Sequence, residues 1–185
     1  MDAITLLTQR ASAPRLAEPA PHGEALQNII AAAVRAPDHA RLRPWRLITI
    51  EGDARGRLGE LFEEALLKRD SNASEEQRTK ARNAPLRAPL LIAVVVRLQE
   101  HPKVPAIEQW LSAGCVAHAV LLAAQAQGFG GMWRTGEASY DRHIASGLGL
   151  GDNEELAGFI YLGTPLLPVA TAPREVPAEF VTRWS

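Results

Sequence analysis

The stretch Pro89–Leu98, PLLIAVVVRL, constrains the fold more than any other part of the chain. It is a continuous apolar run of strand length, rich in β-branched residues. A strand with one wet face alternates polar and apolar residues, whereas an unbroken run is covered on both faces. Pro89–Leu98 therefore reads as a central strand.

Two further segments have strand character. Arg46–Gly52 (RLITIEG) is β-branched and alternates at its end, and Leu156–Pro165 (LAGFIYLGTP) is strongly apolar. A shorter strand is expected within Gly128–Arg134 (GFGGMWR), whose first glycine stops the preceding helix. Helices are expected at Ala3–Gln9 capped by Asp2, at Gly23–Val34, at Asp53–Arg69, and after the Ser74/Gln77 capping box up to Pro85. The longest, Ala106–Gln127, is apolar nearly all round from Ala113 and reads as a buried central helix. A small helix over Asp141–Leu148 completes the set, and FVTRW near the end is a candidate last strand. Mixed helices and strands with few hairpin signals indicate an α+β or α/β chain in one domain, residues 1–185.

The composition, 46% apolar and 22% charged over 185 residues, is that of a globular domain. The net charge of −1 argues against a general nucleic-acid or membrane-surface binder. Cys115 is the single cysteine, so no internal disulfide can form, and a reducing, cytoplasmic setting is expected. The N-terminal residues do not read as a secretory signal, and the apolar stretch Ala113–Ala126 is too short to span a membrane.

Several chemistries are poorly supported. GLGLGD, Gly147–Asp152, follows a helix and opens none, which is the wrong context for a dinucleotide loop. The histidines lack metal-ligand spacing, so no metal site is expected. His118 reads as a core histidine, and Cys115 as a thiol made inert by apolar surroundings. No GxSxG nucleophile elbow occurs. What remains is anion and aromatic chemistry. Arg10 and Ser12 offer a planar donor fork and a hydroxyl. RAPDHARLRPWR, Arg35–Arg46, adds Arg35 and His39 in a locally basic turn. Gly128, Gly130 and Gly131 permit close backbone approach, and Trp133 and Arg134 follow with a flat surface and a charge. A large planar cofactor carrying a phosphate would use all three groups.

The segments RASAPRLAEPAP, RAPDHARLRPWRLITIEG, KARNAPLRAPLLIAVVV, SAGCVAHAVLLAAQAQGFGGMWRTG and GFIYLGTP, in this order, resemble the flavin-dependent nitroreductase family, nearest its short YdjA-like branch. The resemblance implies an α+β nitroreductase-like fold with a central, mostly antiparallel sheet flanked by helices. It also implies an intertwined homodimer with FMN at the subunit interface. Residue by residue, it assigns Arg10, Ala11 and Ser12 to the first FMN segment, Arg35 and His39 to the second, and Gly131, Met132 and Trp133 to the third. One of these segments can come from the partner chain. It assigns Leu121, Leu122, Ala123, Ala124, Gln125 and Ala126 to nicotinamide dinucleotide binding.

The activity it implies is FMN-dependent oxidation of NADH or NADPH by a ping-pong route. The acceptors would be small electron-poor molecules such as nitroaromatics or quinones. Flavin N5 carries the hydride, so no catalytic side chain is required. Two positions leave the family pattern: Ala11 stands where an arginine is usual, and Arg43 where glutamine is usual before Pro-Trp. Arg43 is expected to favour acidic substrates. Alternatives are a same-fold flavoenzyme of flavin-destructase or dehalogenase type, and a non-catalytic flavin-binding module.

Overall fold

The computed structural model describes residues 2–168 and 177–184. Its strands are β1 (Leu16–Ala17), β2 (Trp45–Glu51), β3 (Leu90–Arg97), β4 (Gly130–Arg134) and β5 (Glu154–Pro165). Its helices are α1 (Ala3–Gln9), α2 (Gly23–Ala33), α3 (Ala54–Arg69), α4 (Glu75–Asn83), α5 (Ala106–Ala126) and α6 (Arg142–Gly147). Every described strand pairing is antiparallel. β5 is the hub, pairing with β3, β4 and β1, while β2 closes the sheet beyond β3.

The run Pro89–Leu98 is central as expected. Leu90 to Val96 are all fully buried, and alternate residues serve two cores. Leu90, Ile92, Val94 and Val96 pack with Ile29 of α2 and with Ala113, Val116 and Val120 of α5. Leu91, Ala93 and Val95 pack with Leu58 and Phe62 of α3 and Ile144 of α6. The strand is thus sandwiched between helical layers, the arrangement that removes polar alternation from its sequence.

α4 is mounted rigidly on α3. Buried Glu63 of α3 accepts from Arg78 at 2.8 Å and from Arg82 at 2.6 and 2.7 Å. Gly59 lets the α4 backbone close in, because a Cβ there would collide with the Arg82 carbonyl. The Ser74/Gln77 capping box starts α4 as read from the sequence. A 3₁₀ turn, Ala84–Arg87, then carries the chain into β3.

Four expectations are corrected. α5 is not buried all round: Ile107 and Leu111 are 62% and 64% exposed, and Cys115 and His118 lie exposed on the same helix. Its inner face alone meets the sheet, so Cys115 is no core thiol and His118 no core histidine. α5 also has the length and apolarity to cross a membrane, yet it packs along the sheet. FVTRW forms no strand; Phe180 ends a 3₁₀ turn, and Val181 and Trp184 are exposed. The residues 169–176 of the tail lie outside the described residues.

Candidate functional site

β4 is the centre of the site. At its start, the Ala13 N–H donates to the Gly131 carbonyl at 3.0 Å, tying the segment after α1 to the strand. Arg10, Ala11 and Ser12 are thereby brought beside Gly130 and Gly131. Both glycines are required by packing. A Cβ on Gly130 would stand 2.9 Å from Ala13 Cβ, and one on Gly131 would stand 2.7 Å from Leu121 Cδ2. Ala11 lines a hollow of about 280 Å³ with Gln9, Gln125 and Gly128.

The far end of β4 opens into a cleft of about 750 Å³, within the size range of ligand pockets. Met132, Trp133 and Arg134 form its floor, and Phe62, Phe159 and Tyr161 supply apolar wall. Trp133 is held by its indole N–H, which donates to the Ala157 carbonyl at 3.1 Å. It fits because β5 bulges opposite Val94 and Val95, and because Gly158 there has no side chain.

Arg134 sits 5.4 Å over the Tyr161 ring, and its buried Nε has no partner among the described residues. Burial raises the Tyr161 phenol above its ordinary pKa, while Arg134 and Arg87 pull it down. A neighbouring hollow of about 450 Å³ gathers Arg15, Arg87 and Arg134 with no carboxylate in its lining. Sequence reading missed Arg87 and Lys80, which also line the main cleft. Their only sequence signal is basic character around α4, which looks like ordinary surface.

Arg35 and His39 lie elsewhere. His39 Nδ1 meets Glu108 Oε2 at 2.6 Å, at the N-terminal end of α5. Ala11 and Gln125 share their hollow at the C-terminal end. Glu108 and Gln125 are separated by about 25 Å along the helix axis at 1.5 Å per residue. One chain therefore does not gather both halves of the expected cofactor set.

Arg43, expected to favour acidic substrates, is paired within its own loop. Its guanidinium donates to Asp38 Oδ2 at 2.8 Å, and Asp38 is almost wholly buried, so the charge is answered within the loop. The same carboxylate accepts from the Leu42 and Arg43 N–H groups. It thereby holds Ala40, Arg41 and Arg43 in the left-handed region, at φ 58°, 56° and 50°. Non-glycine residues pay strain there and concentrate at functional loops. Trp45 is buried core beneath Arg43, as the sequence suggested.

Of the stretch 121–126, Leu121 and Ala124 are buried, Leu122 and Ala123 are half-buried, and Ala126 is exposed. Gln125 is its single polar side chain. The stretch backs β4 and shapes the small hollow more than it offers hydrogen bonds.

The model of the family described as "Nitroreductase family" matches residues 8–164. An Escherichia coli K12 protein named "Putative NAD(P)H nitroreductase YdjA" is 46% identical over 98% of this chain and 99% of its own length. A Haemophilus influenzae protein with the same NAD(P)H nitroreductase designation is 39% identical over 89% of each chain. The fold matches a nitroreductase-like family protein from Bacillus cereus with a TM-score of 0.84, at 20% identity, over 100% of this chain and 96% of that one. A Desulfovibrio desulfuricans protein described as a "putative nitroreductase in complex with fmn" matches with a TM-score of 0.77 at 19% identity, over 100% and 98% of the two chains. A match spanning most of the sequence, a near full-length relative and the shared antiparallel architecture together make this chain a member of the nitroreductase family of oxidoreductases.

Proposed function

We propose that the protein is an FMN-dependent oxidoreductase that takes hydride from NADH or NADPH and reduces electron-poor acceptors such as nitroaromatics or quinones, alternating the two on one face. The observation that carries this reading is the strip along β4. It runs from Arg10 and Ser12, over two packing-imposed glycines, to a cleft floor where the buried Arg134 Nε has no partner among the described residues. A planar cofactor with a phosphate fits that donor set.

Arg10 and Ser12 bind the phosphate, the guanidinium by paired N–H donors and the hydroxyl by one more. Arg15 does not replace what Ala11 lacks, since the two face different hollows. Gly131 and Met132 give close backbone approach to the ring system, and Trp133 covers it from water. Arg134 holds a fixed positive charge in a partly buried place, where it stabilises negative charge developing on reduction. When bound, FMN supplies the hydride-accepting and hydride-donating atom, N5. The hydride step requires no side-chain acid or base.

Arg35 and His39 contribute from a second copy. A homodimer packed through the outer face of α5 covers Ile107 and Leu111, together with Ile4 and Leu7 of α1, which has no buried residue of its own. Antiparallel packing of two α5 helices brings one chain's His39 end to the other's Arg10 end. We place this dimer in the cytoplasm as one domain per chain, where a chain with a single cysteine needs no internal disulfide. The test is the purified protein's visible spectrum. Stoichiometric uptake of FMN is expected, and a protein that takes up none is not this enzyme.

A further inference from the structure

The cleft over β4 is electrostatically unbalanced. Its lining carries four cations, Arg69, Lys80, Arg87 and Arg134, against one carboxylate, Glu137. Arg69 donates to Glu137 at 2.9 Å and also binds Asp141, so that side of the cleft is neutralised. Lys80, Arg87 and Arg134 have no carboxylate partner among the described residues. They come from α4, from the turn after it and from β4, yet converge on one cavity.

Their convergence is mounted on packed structure. Glu63 clamps α4 to α3 through Arg78 and Arg82. Buried Pro85 anchors the turn that presents Arg87. The backbone that carries them is fixed by packing, so a ligand has only the exposed Lys80 and Arg87 side chains to order.

On the flavin reading, reduced cofactor presents one negative charge, and Arg134, at the floor beside Met132 and Trp133, answers it. Lys80 and Arg87, on the wall formed by α4 and its turn, are left over. We propose that Lys80 and Arg87 select electron acceptors that carry an anionic group, so that the preferred class is nitroaromatic or quinone carboxylates rather than their neutral counterparts. The inference rests on the flavin reading and names the substrate class of the same site. In the transfer, the acceptor takes two electrons and one proton as hydride and a second proton from water. A nitro group becomes nitroso with loss of one water molecule, and the carboxylate remains unchanged as a handle. The phosphates of NAD(P)H carry the same sign of charge, so the two half-reactions must be separated.

The experiment uses FMN-loaded protein photoreduced without dinucleotide, then mixed in a stopped-flow instrument with para-nitrobenzoate or para-nitrobenzamide. The readout is the ratio of the two apparent second-order rates, compared between wild type and the Lys80→Gln/Arg87→Gln double variant. That comparison cancels the acceptors' intrinsic reactivity. The ratio is expected to fall by about fivefold or more in the double variant, as for the loss of two complementary charges at a binding cleft. The benzamide rate and FMN affinity stay unchanged, and Arg57→Gln on the exposed side of α3 leaves the ratio as it was. An unchanged ratio overturns the inference. So does a double variant in which only reduction by NADH or NADPH slows, because the two cations then serve the dinucleotide. Failure to load FMN overturns the flavin reading, and this inference with it.

Discussion

Asp38 illustrates how one residue can set the geometry of a candidate cofactor loop. Its nearly buried carboxylate accepts from two backbone N–H groups and from Arg43. Asp38→Ala should cost about 2–3 kcal/mol in urea unfolding through lost charged hydrogen bonds, net of the left-handed strain that is released. FMN affinity should fall with it, because His39 loses its placement. Gly158 makes a second residue-scale case. Its φ is 139°, and a Cβ there would strike the Trp133 indole N–H and stand 2.8 Å from the Arg134 carbonyl. Gly158→Ala is expected to destabilise the fold by about 2–4 kcal/mol and to perturb Trp133 fluorescence. Sequence singled out Arg10–Ser12 and Gly131–Trp133, and the structure sets these two segments side by side. Sequence did not show that Arg43 pairs with Asp38, because nothing in RAPDHARLRPWR marks a contact between residues five apart in a turn.

At the scale of elements, two ion networks tie distant segments together. Arg46 of β2 donates to Glu154 of β5 at 2.7 and 2.8 Å, and Arg97 of β3 approaches the same carboxylate at 3.3 Å. Arg46 is the main cause that draws the Glu154 carboxyl to about 2; the Gly151 N–H and Arg97 assist. Arg82, then Arg78, draw Glu63 down to about 2. Both folded values lie below the usual 4.5, so the unfolded chain binds more protons as pH falls. Stability from these groups is complete above pH 4.5 and is lost as pH falls towards 2. The urea midpoint should hold between neutral and mildly acidic buffer, then drop on further acidification, and Arg46→Gln should flatten the part due to Glu154. The elements themselves were largely legible, since an unbroken run such as PLLIAVVVRL and caps such as Ser74/Gln77 are local signals. The joint presence of Lys80 and Arg87 in the cleft was not, because it arises from the way α4 and its turn pack on α3 across the cleft from β4.

At the scale of the whole molecule, the outer face of α5 decides the interpretation. An all-round apolar helix reads as buried whether its own chain or a second copy covers it, so the sequence could not distinguish the two. Ile107 and Leu111 resolve it for the isolated chain by standing exposed. Leu111→Glu should convert the proposed dimer to a monomer by light scattering and weaken FMN binding at least tenfold, because Arg10 and Ser12 then lose the partner's Arg35 and His39. A soluble dimer with unchanged FMN affinity would refute that arrangement. The central claim, that this chain passes hydride from a nicotinamide dinucleotide to bound FMN, is tested most directly by anaerobic titration of the FMN-loaded protein. The oxidised-flavin absorbance should bleach at one equivalent of NADH or NADPH per FMN and return on adding a nitroaromatic or quinone. A loaded protein whose flavin absorbance is unchanged by excess of either dinucleotide would contradict it.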